Sequence, residues 1–337
     1  MKEIKVLVFF LSGLMLSLTS QAETLSVVKK RGLLHCGVST GLAGFSSPDE
    51  KGLWHGMDVD ICRALAAALF NDASKVKYIS LNASQRFTAL QSGEVDVLSR
   101  NTTINLGRDT SMGLNFAPVV YYDGQGFMVR KKDKIKSALE LVGASVCTQQ
   151  GTTTELNMSD FFRAHQMKFK PVVFESNEEV NQAFFKGRCD ALTTDISGLA
   201  SERSKMKNPD DYIILPQVIS KEPLAPAVRH GDDAWFDIVK WSVYALMEAE
   251  ELGIDSKNVD LMLKDSNPKI QRFLGVIEGN GKSLGLSEKW AYQMIKQVGN
   301  YSEIFERNVG AQTPLKLARG LNALWNKGGL HYPPPLR

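Results

Sequence analysis

Apolar and polar positions alternate along this chain in two rhythms that take turns. Leu33 to Val38 is a short apolar run opening into glycine-rich sequence, Gly37 to Gly44, which predicts a buried strand and its exit loop. From Asp58 to Phe70 the spacing changes. Val59, Cys62, Leu65, Ala66 and Leu69 fall on one face of a helix, with Asp58 as its N-cap. Val76 to Leu81 predicts a strand, and Ser84 opens a helix carrying Phe87 and Leu90 that Gly93 ends. Val95 to Leu98 predicts another strand. Strand–helix–strand–helix–strand with short connections is the pattern of a parallel sheet.

The rhythm then repeats. Ala144 to Cys147 predicts a strand, Thr154 to His165 a helix, and Val172 to Phe174 a strand. Asn177 caps a helix to Phe185, with Val180, Ala183 and Phe184 apolar, and Gly187 stops it before a strand from Ala191 to Thr193. Two phrases are alike: Phe87-Thr-Ala-Leu-Gln-Ser-Gly-Glu-Val-Asp-Val and Val180-Asn-Gln-Ala-Phe-Phe-Lys-Gly-Arg-Cys-Asp-Ala. Each is an amphipathic helix, a terminating glycine and an aspartate opening a strand. Two similar α/β lobes are the simplest arrangement; one continuous sheet is the alternative.

Composition agrees with a folded chain. Of 337 residues, 43% are hydrophobic and 23% charged, which excludes wholesale disorder and suggests two domains or one large one. Forty basic side chains against 37 acidic ones leave only +3, with no like-charged run long enough for a nucleic-acid arm. Arg130 to Lys132, with Lys134 and Lys136, reads as a solvated turn. At the start, Lys2 and Lys5 precede an apolar run from Val6 to Leu18, and small residues stand at Ser20 and Ala22. Residues 1–22 therefore read as a secretory signal peptide cut after Ala22. The run is short of the roughly 20 residues that span a bilayer; an uncleaved anchor helix is the alternative. The mature chain is expected to be exported.

Export gives the four cysteines a meaning, because an even count in an oxidising compartment favours disulfides. Spacing alone permits three pairings. The two-lobe reading selects Cys36–Cys62 and Cys147–Cys189, one bridge per lobe. There is no CxxC, and the five histidines are scattered without HExxH or His-x-x-x-His, so no metal and no cofactor is expected.

Three segments carry candidate chemistry. Leu98 to Asp109 leaves a strand and gathers Ser99, Asn101, Thr102 and Thr103 before Arg108. Hydroxyls and one guanidinium at a strand's carboxyl end suit a small carboxylate, which Arg grips with two parallel hydrogen bonds. The segment reads equally as a cap and a surface arginine. Gln149 to Glu155 offers Gly151 for a tight turn, then Thr152, Thr153 and helix N-terminal amides that hold an anion. Thr193-Thr194-Asp195 ends a strand, where a carboxylate binds an ammonium group or caps a helix. A carboxylate clamp in one lobe and an ammonium partner in the other match the two charges of an α-amino acid. Gly279-Asn-Gly-Lys-Ser283 resembles the end of a P-loop with its leading glycine misplaced, there is no G-x-S-x-G, and Gly124-Gln-Gly126 is no dinucleotide fingerprint. Trp235, Phe236, Trp241 and Tyr244 follow helical spacing and read as core.

Longer phrases resemble a known family, the periplasmic solute-binding proteins of amino-acid ABC transporters, in their general L-amino-acid-binding branch. They are Ala89 to Thr103 (ALQSGEVDVLSRNTT), Tyr121 to Arg130, Gly151 to Leu156, Ile219 to Leu224, Trp290 to Asn300 and Gly320 to Gly329, spread over nearly all of the mature chain. The resemblance implies a type II two-lobe α/β fold with two hinge crossovers, near Tyr122 to Gln125 and Pro223 to Pro226. Residues 23–123 and 225–337 would form lobe one, 124–224 lobe two, and 250–337 a helical C-terminal extension, with helical runs at Lys289 to Val298 and Leu315 to Trp325. It implies that Arg108, with Asn101 and Thr103, takes the ligand carboxylate. Gly151, Thr152 and Thr153 would form the anion turn and Asp195 would take the α-ammonium. Relatives for basic amino acids often carry an acidic residue after the first strand and an aromatic further on; this chain has Ser39 and Leu42, which fits a broader pocket. The expected partners are an L-amino acid and an inner-membrane permease, for a periplasmic monomer without enzymatic activity. The competing readings are a dehydratase-like enzyme of the same fold and an amino-acid sensing domain. The former would need a general acid or base over the ligand, and the pocket-lining motifs hold no isolated His or Glu.

Overall fold

A computed structural model describes residues 23–337; the expected signal peptide lies outside the described residues. The two rhythms of the sequence become two five-stranded sheets with one shared plan. In lobe one the order runs Val76–Ser80, Leu34–Val38, Val97–Leu98, Ala227–Arg229, Leu114–Phe116. The first three strands are parallel, and Ala227–Arg229 runs antiparallel between its neighbours. Lobe two repeats this with Lys170–Phe174, Ser145–Gln149, Ala191–Asp195, Gln125–Arg130 and Tyr212–Ile214. The inserted antiparallel strand of each sheet is the one that has just crossed from the other lobe. Between the lobes, Tyr121–Asp123 pairs antiparallel with Glu222–Leu224, Tyr122 opposite Pro223. These two short strands are the hinge.

Local chemistry explains the elements and corrects some expectations. The helix Met57–Phe70 begins after Gly56, not at Asp58. Gly56 has φ +129, and a Cβ there would lie 2.1 Å from the Phe45 carbonyl oxygen, so only glycine fits that entry. Asp58 is freed for another task, described below. The cap of Asn177–Phe185 is Ser176, in a reciprocal capping box with Glu179, and Asn177 is the first helical residue. The helix expected from Ser84 starts at Arg86. Both disulfides form as paired by lobe, Cys36–Cys62 with Cα atoms 6.3 Å apart and Cys147–Cys189 with 5.7 Å. They close loops of 26 and 42 residues, each worth about 3–4 kcal/mol in the chain-entropy account.

The C-terminal extension belongs to lobe one. Helix Trp290–Val298 packs on Met57–Phe70, and Trp290, Ile295, Tyr301 and Phe305 join the main core beside Trp235 of helix Asp233–Glu251. The α-helix expected from Leu315 to Trp325 does not form; Lys316 and Gly320 take left-handed backbone, and only short turns at Gly320–Asn322 and from Trp325 are helical. The P-loop-like piece holds the chain's own anion: the amides of Gly279, Gly281 and Lys282 donate to the Glu288 carboxylate at 2.9, 3.2 and 3.0 Å.

The extension also reaches the hinge. The Asn322 side-chain oxygen accepts from the Tyr122 amide at 2.6 Å, and its Nδ2 donates to the Tyr122 carbonyl at 3.2 Å. The Tyr301 hydroxyl donates to the Val120 carbonyl at 2.7 Å. Asn322 thus acts as one residue of a neighbouring strand on the free edge of the hinge. Asn322→Ala leaves the amide and carbonyl of half-buried Tyr122 without these partners, and is expected to lower unfolding free energy by about 1–2 kcal/mol in chemical denaturation. A variant as stable as the parent would show that water replaces the clamp at no cost.

Candidate functional site

The cleft between the lobes is lined at the carboxyl ends of both sheets, where an α/β fold exposes loop amides and side chains together. It encloses about 560 Å³ of unfilled space, part of it open to solvent. Lobe one contributes Ser39, Leu42, Arg86, Arg100, Asn101 and Thr103; lobe two contributes Gln149, Thr152, Thr153, Asn177, Asp195 and Glu202, among others. The lobes touch across it. The hydroxyl oxygens of Thr103 and Thr153 are 3.5 Å apart, Asn82 Nδ2 donates to Glu175 Oε1 at 3.3 Å, and Lys205 Nζ donates to the Gly41 carbonyl at 3.3 Å. At Gly151 (φ +73) a Cβ would sit 3.1 Å from Ser84 Oγ, so the bare turn lets lobe two approach lobe one.

The segment after Val97–Leu98 is held in an unusual shape. Asn101 has φ +33, left-handed backbone for a residue with a side chain. Asp58 holds it there, accepting from the Asn101 amide at 3.1 Å and from Ser99 Oγ at 3.4 Å. Burial pushes the Asp58 carboxyl up to about 7, with the Asn101 N–H and Arg100 pulling it back. Arg100 Nε donates to the Leu81 carbonyl at 3.0 Å. Asn101 Oδ1 and Arg86 Nε are buried with no protein partner. Both residues line the cleft, and an unmet donor and acceptor facing one space are groups a ligand can satisfy.

Opposite charges are stacked on opposite walls. Asp195 ends the strand Ala191–Asp195 and starts the helix Ile196–Ser204, yet its side chain makes no capping bond and is 7% exposed. Its carboxyl is driven well above the usual range by burial, then by Asp123 and Glu222 nearby; Arg86 and Arg108 oppose this. Asp123 itself is pushed up to about 6, chiefly by burial. On the other wall the Arg86 guanidinium is held well below its ordinary value by burial and then by Arg100 and Arg108. Arg100 falls to about 10, again chiefly through burial. Each group is surrounded partly by its own sign, so closing the cleft is electrostatically unfavourable unless compensating charge enters with it.

Of the residues singled out from sequence, Ser39, Asn101, Thr103, Thr152, Thr153 and Asp195 line the cleft. Arg108 does not: its Nη1 donates to the Thr103 carbonyl at 2.8 Å and its guanidinium lies over the Phe87 ring. Gly151 sits at the exposed turn rather than in the wall. Thr152 is committed as a cap, accepting from the Glu155 amide at 3.2 Å and donating to the Gln149 carbonyl at 2.7 Å. Sequence reasoning missed Arg86, Asn177 and Glu202 as site residues, and passed over Arg100 and Gln149 inside segments it had singled out. The ground offered against a general acid was incomplete, since Glu202 lines the cleft, accepting from Asn177 Nδ2 at 3.2 Å and paired with Lys205 at 3.0 Å.

Comparison with known proteins agrees with this architecture. Residues 34–308 match the bacterial extracellular solute-binding proteins, family 3. The general L-amino acid-binding periplasmic protein of Rhizobium johnstonii is 61% identical over 320 residues, 94% of each chain. The glutamate/glutamine/aspartate/asparagine-binding protein of Rhodobacter capsulatus is 52% identical over 319 residues, again 94% of each. A solved periplasmic binding protein from Brucella ovis with glutathione bound superposes with a TM-score of 0.92 at 59% identity, covering 94% of this chain and 100% of that one. The fold is therefore the type II periplasmic-binding-protein fold, and the chain belongs to family 3 of the bacterial extracellular solute-binding proteins.

Proposed function

We propose that this chain captures L-amino acids of several kinds in the periplasm by closing its two lobes on them, and hands them to the permease of an ABC transporter. The observation that carries the reading is Asp195: a buried carboxylate without a hydrogen-bond partner, facing an arginine group across a shut cleft. An amino-acid zwitterion supplies the two charges those walls lack. Its ammonium would meet Asp195. Its carboxylate would meet the guanidinium side, where Arg86 and Arg100 line the cleft and Arg108, outside the lining, is bonded to the lining residue Thr103 and keeps further N–H donors. The relatives' names, general L-amino acid-binding and glutamate/glutamine/aspartate/asparagine-binding, support this ligand class.

Arg86 and Arg100 extend the positive wall beyond what one α-carboxylate needs, so side chains ending in carboxylate or amide should bind most tightly. Leu42 leaves room for apolar ones. Glutathione is the second reading, favoured by the Brucella structure: its glutamyl end presents the same ammonium and carboxylate. No bond need be made or broken in either. Among the described residues no helix is long and apolar enough to cross a membrane, in keeping with a carrier that meets its permease from outside the bilayer.

A melting screen over the common L-amino acids and glutathione tests the reading, with proton NMR of each mixture to detect any product. A thousandfold excess over Kd is expected to stabilise the protein by about 4 kcal/mol with the ligand recovered unchanged. Arg108→Ala should abolish that stabilisation and leave the ligand-free fold intact. No stabilisation of the parent by any of these compounds, or a new product in the spectrum, overturns the carrier reading.

The pH dependence follows from Asp195. Burial and nearby carboxylates raise its carboxyl, and an ammonium beside it lowers it again, so binding releases a proton between those two values. Affinity should be flat above the raised value and fall as pH drops below it. Calorimetry in buffers of different ionisation enthalpy reads the released proton. Asp195→Asn should bind more weakly and without this pH dependence; an unchanged profile in that variant removes Asp195 from the ammonium site.

A further inference from the structure

The most heavily bonded side chain near the cleft is one that does not line it. Glu222 lies on the hinge strand Glu222–Leu224, is 1% exposed and stands opposite Asp123. Its Oε2 accepts from Thr103 Oγ1 at 2.6 Å and from Thr153 Oγ1 at 2.9 Å. Its Oε1 accepts from Asn157 Nδ2 at 2.7 Å and from Ser220 Oγ at 2.6 Å. Thr103 belongs to lobe one, while Thr153 and Asn157 belong to the first helix of lobe two. One hinge carboxylate therefore binds groups from both lobes at once.

The consequence is a matter of proton counting. A hydroxyl has one proton and two lone pairs, and an ionised carboxylate only accepts. Thr103 and Thr153 both spend their proton on the same oxygen of Glu222. Their 3.5 Å contact is then the meeting of two acceptors, not a hydrogen bond between them. Both residues line the cleft and Glu222 does not, so the lone pairs of both hydroxyls are left for the ligand side. An acceptor pair formed by one residue from each lobe exists only when the lobes are together.

We propose that Glu222 is the positioning residue of this site. It fixes the hydroxyls of Thr103 and Thr153 as acceptors toward the cleft and makes that acceptor pair a property of the closed state. The proposal rests on the amino-acid reading, because the donor such a pair fits is the α-ammonium. It also revises the expected role of Thr103, whose hydroxyl cannot donate to the ligand carboxylate while it donates to Glu222. Since every amino acid carries the ammonium, Glu222 acts on all ligands alike and not on their side chains.

The test is a mutant cycle on the full mature chain, with L-glutamine and L-alanine as calorimetric probes. In Glu222→Gln the amide keeps the shape but brings its own donor, so the hydroxyls lose their fixed direction. Both probes should weaken by the same factor, about tenfold or more, the worth of a hydrogen bond to a charged group. The ligand-free melting temperature should stay close to the parent's. In a Thr103→Val/Thr153→Val background, Glu222→Gln should cost little further affinity, because its route to the ligand is gone. Parent-like binding in Glu222→Gln, a loss confined to one probe, or losses that multiply in the cycle overturn the role. Should the Gln variant not fold, the double valine variant carries the test: it should reproduce the common loss, and parent-like affinity there overturns the proposal. A parent chain that binds neither probe overturns the amino-acid reading itself and this role with it.

Discussion

Shutting charged groups into a small space without their partners is the constraint on which this molecule turns. On one wall of the closed cleft Asp195 feels Asp123 and Glu222 close by, and on the other Arg86 and Arg100 feel each other and Arg108. Taking ions out of water costs several kcal/mol each unless partners replace the water. Some of these groups have partners: Asp123 accepts from the Gly124 amide and from Ser197, and Glu222 accepts four bonds. One nitrogen of Arg86 does not, and Asp195 makes no capping bond. The protein leaves the missing interactions where a small zwitterion can supply them. Ligand binding and lobe closure then become one event, because a ligand shifts the population only by what it gains in the closed form. Moving a two-state equilibrium from 1:99 to 99:1 takes about 5.5 kcal/mol, which is the scale of relieving a buried unpaired charge.

The rest of the fold supports that event. Two mixed sheets, each with three adjacent parallel strands, place loop ends, not strand faces, against each other, so the lobes can part without exposing their cores. Each lobe is stapled by its own disulfide, and neither staple crosses the hinge. The strands that connect the lobes are Tyr121–Asp123 and Glu222–Leu224. On one of these strands, Asn322 of the extension completes the hydrogen bonds of Tyr122. Arg319, paired with Glu250, packs over Tyr301 and Phe305 and secures the wall from which Asn322 projects. His331 lies between Tyr122 and Tyr301, its imidazole lowered to about 3 by burial and then by Arg319. It is therefore neutral, and contributes packing and not charge. The last ninety or so residues thus make contacts that the capture mechanism alone does not suggest: they hydrogen-bond one hinge strand from outside.

The sequence shows some of this and hides the rest for identifiable reasons. Elements built on periodicity are plain: Met57–Phe70, Asn177–Phe185 and the parallel strands all follow from apolar spacing. Asp195 is legible because it follows a strand immediately, where α/β folds present ligand groups. Glu202 is hidden because L-A-S-E-R-S-K has the look of a solvated helix face, and only the approach of Asn177 and Lys205 shows that it is buried. Arg86 opens a helix whose apolar neighbours Phe87 and Leu90 take the attention. Asp58 is misread because a cap and a long-range acceptor look the same in sequence; only the position of Asn101 separates them. Glu222 carries no local signal at all. Its four partners come from positions 103, 153, 157 and 220, and nothing in a linear pattern brings those together.

That division between near and distant contacts bears on ligand range. The groups proposed to hold the two charged ends, Asp195, Arg108 and the hydroxyls tied to Glu222, address what every amino acid shares. If closure is driven by neutralising these ends, the side-chain wall does not have to contribute to it. A wall made of Leu42, Asn177, Gln149 and the two further arginines then modulates affinity without deciding whether closure occurs. Contacts to a side chain differ by about 1–3 kcal/mol when one small group is gained or lost, less than the charge relief at the common ends. Breadth of ligand range therefore needs no loose or flexible pocket. It follows from placing the dominant interaction on the invariant part of the ligand, and from a hinge that responds to that part alone.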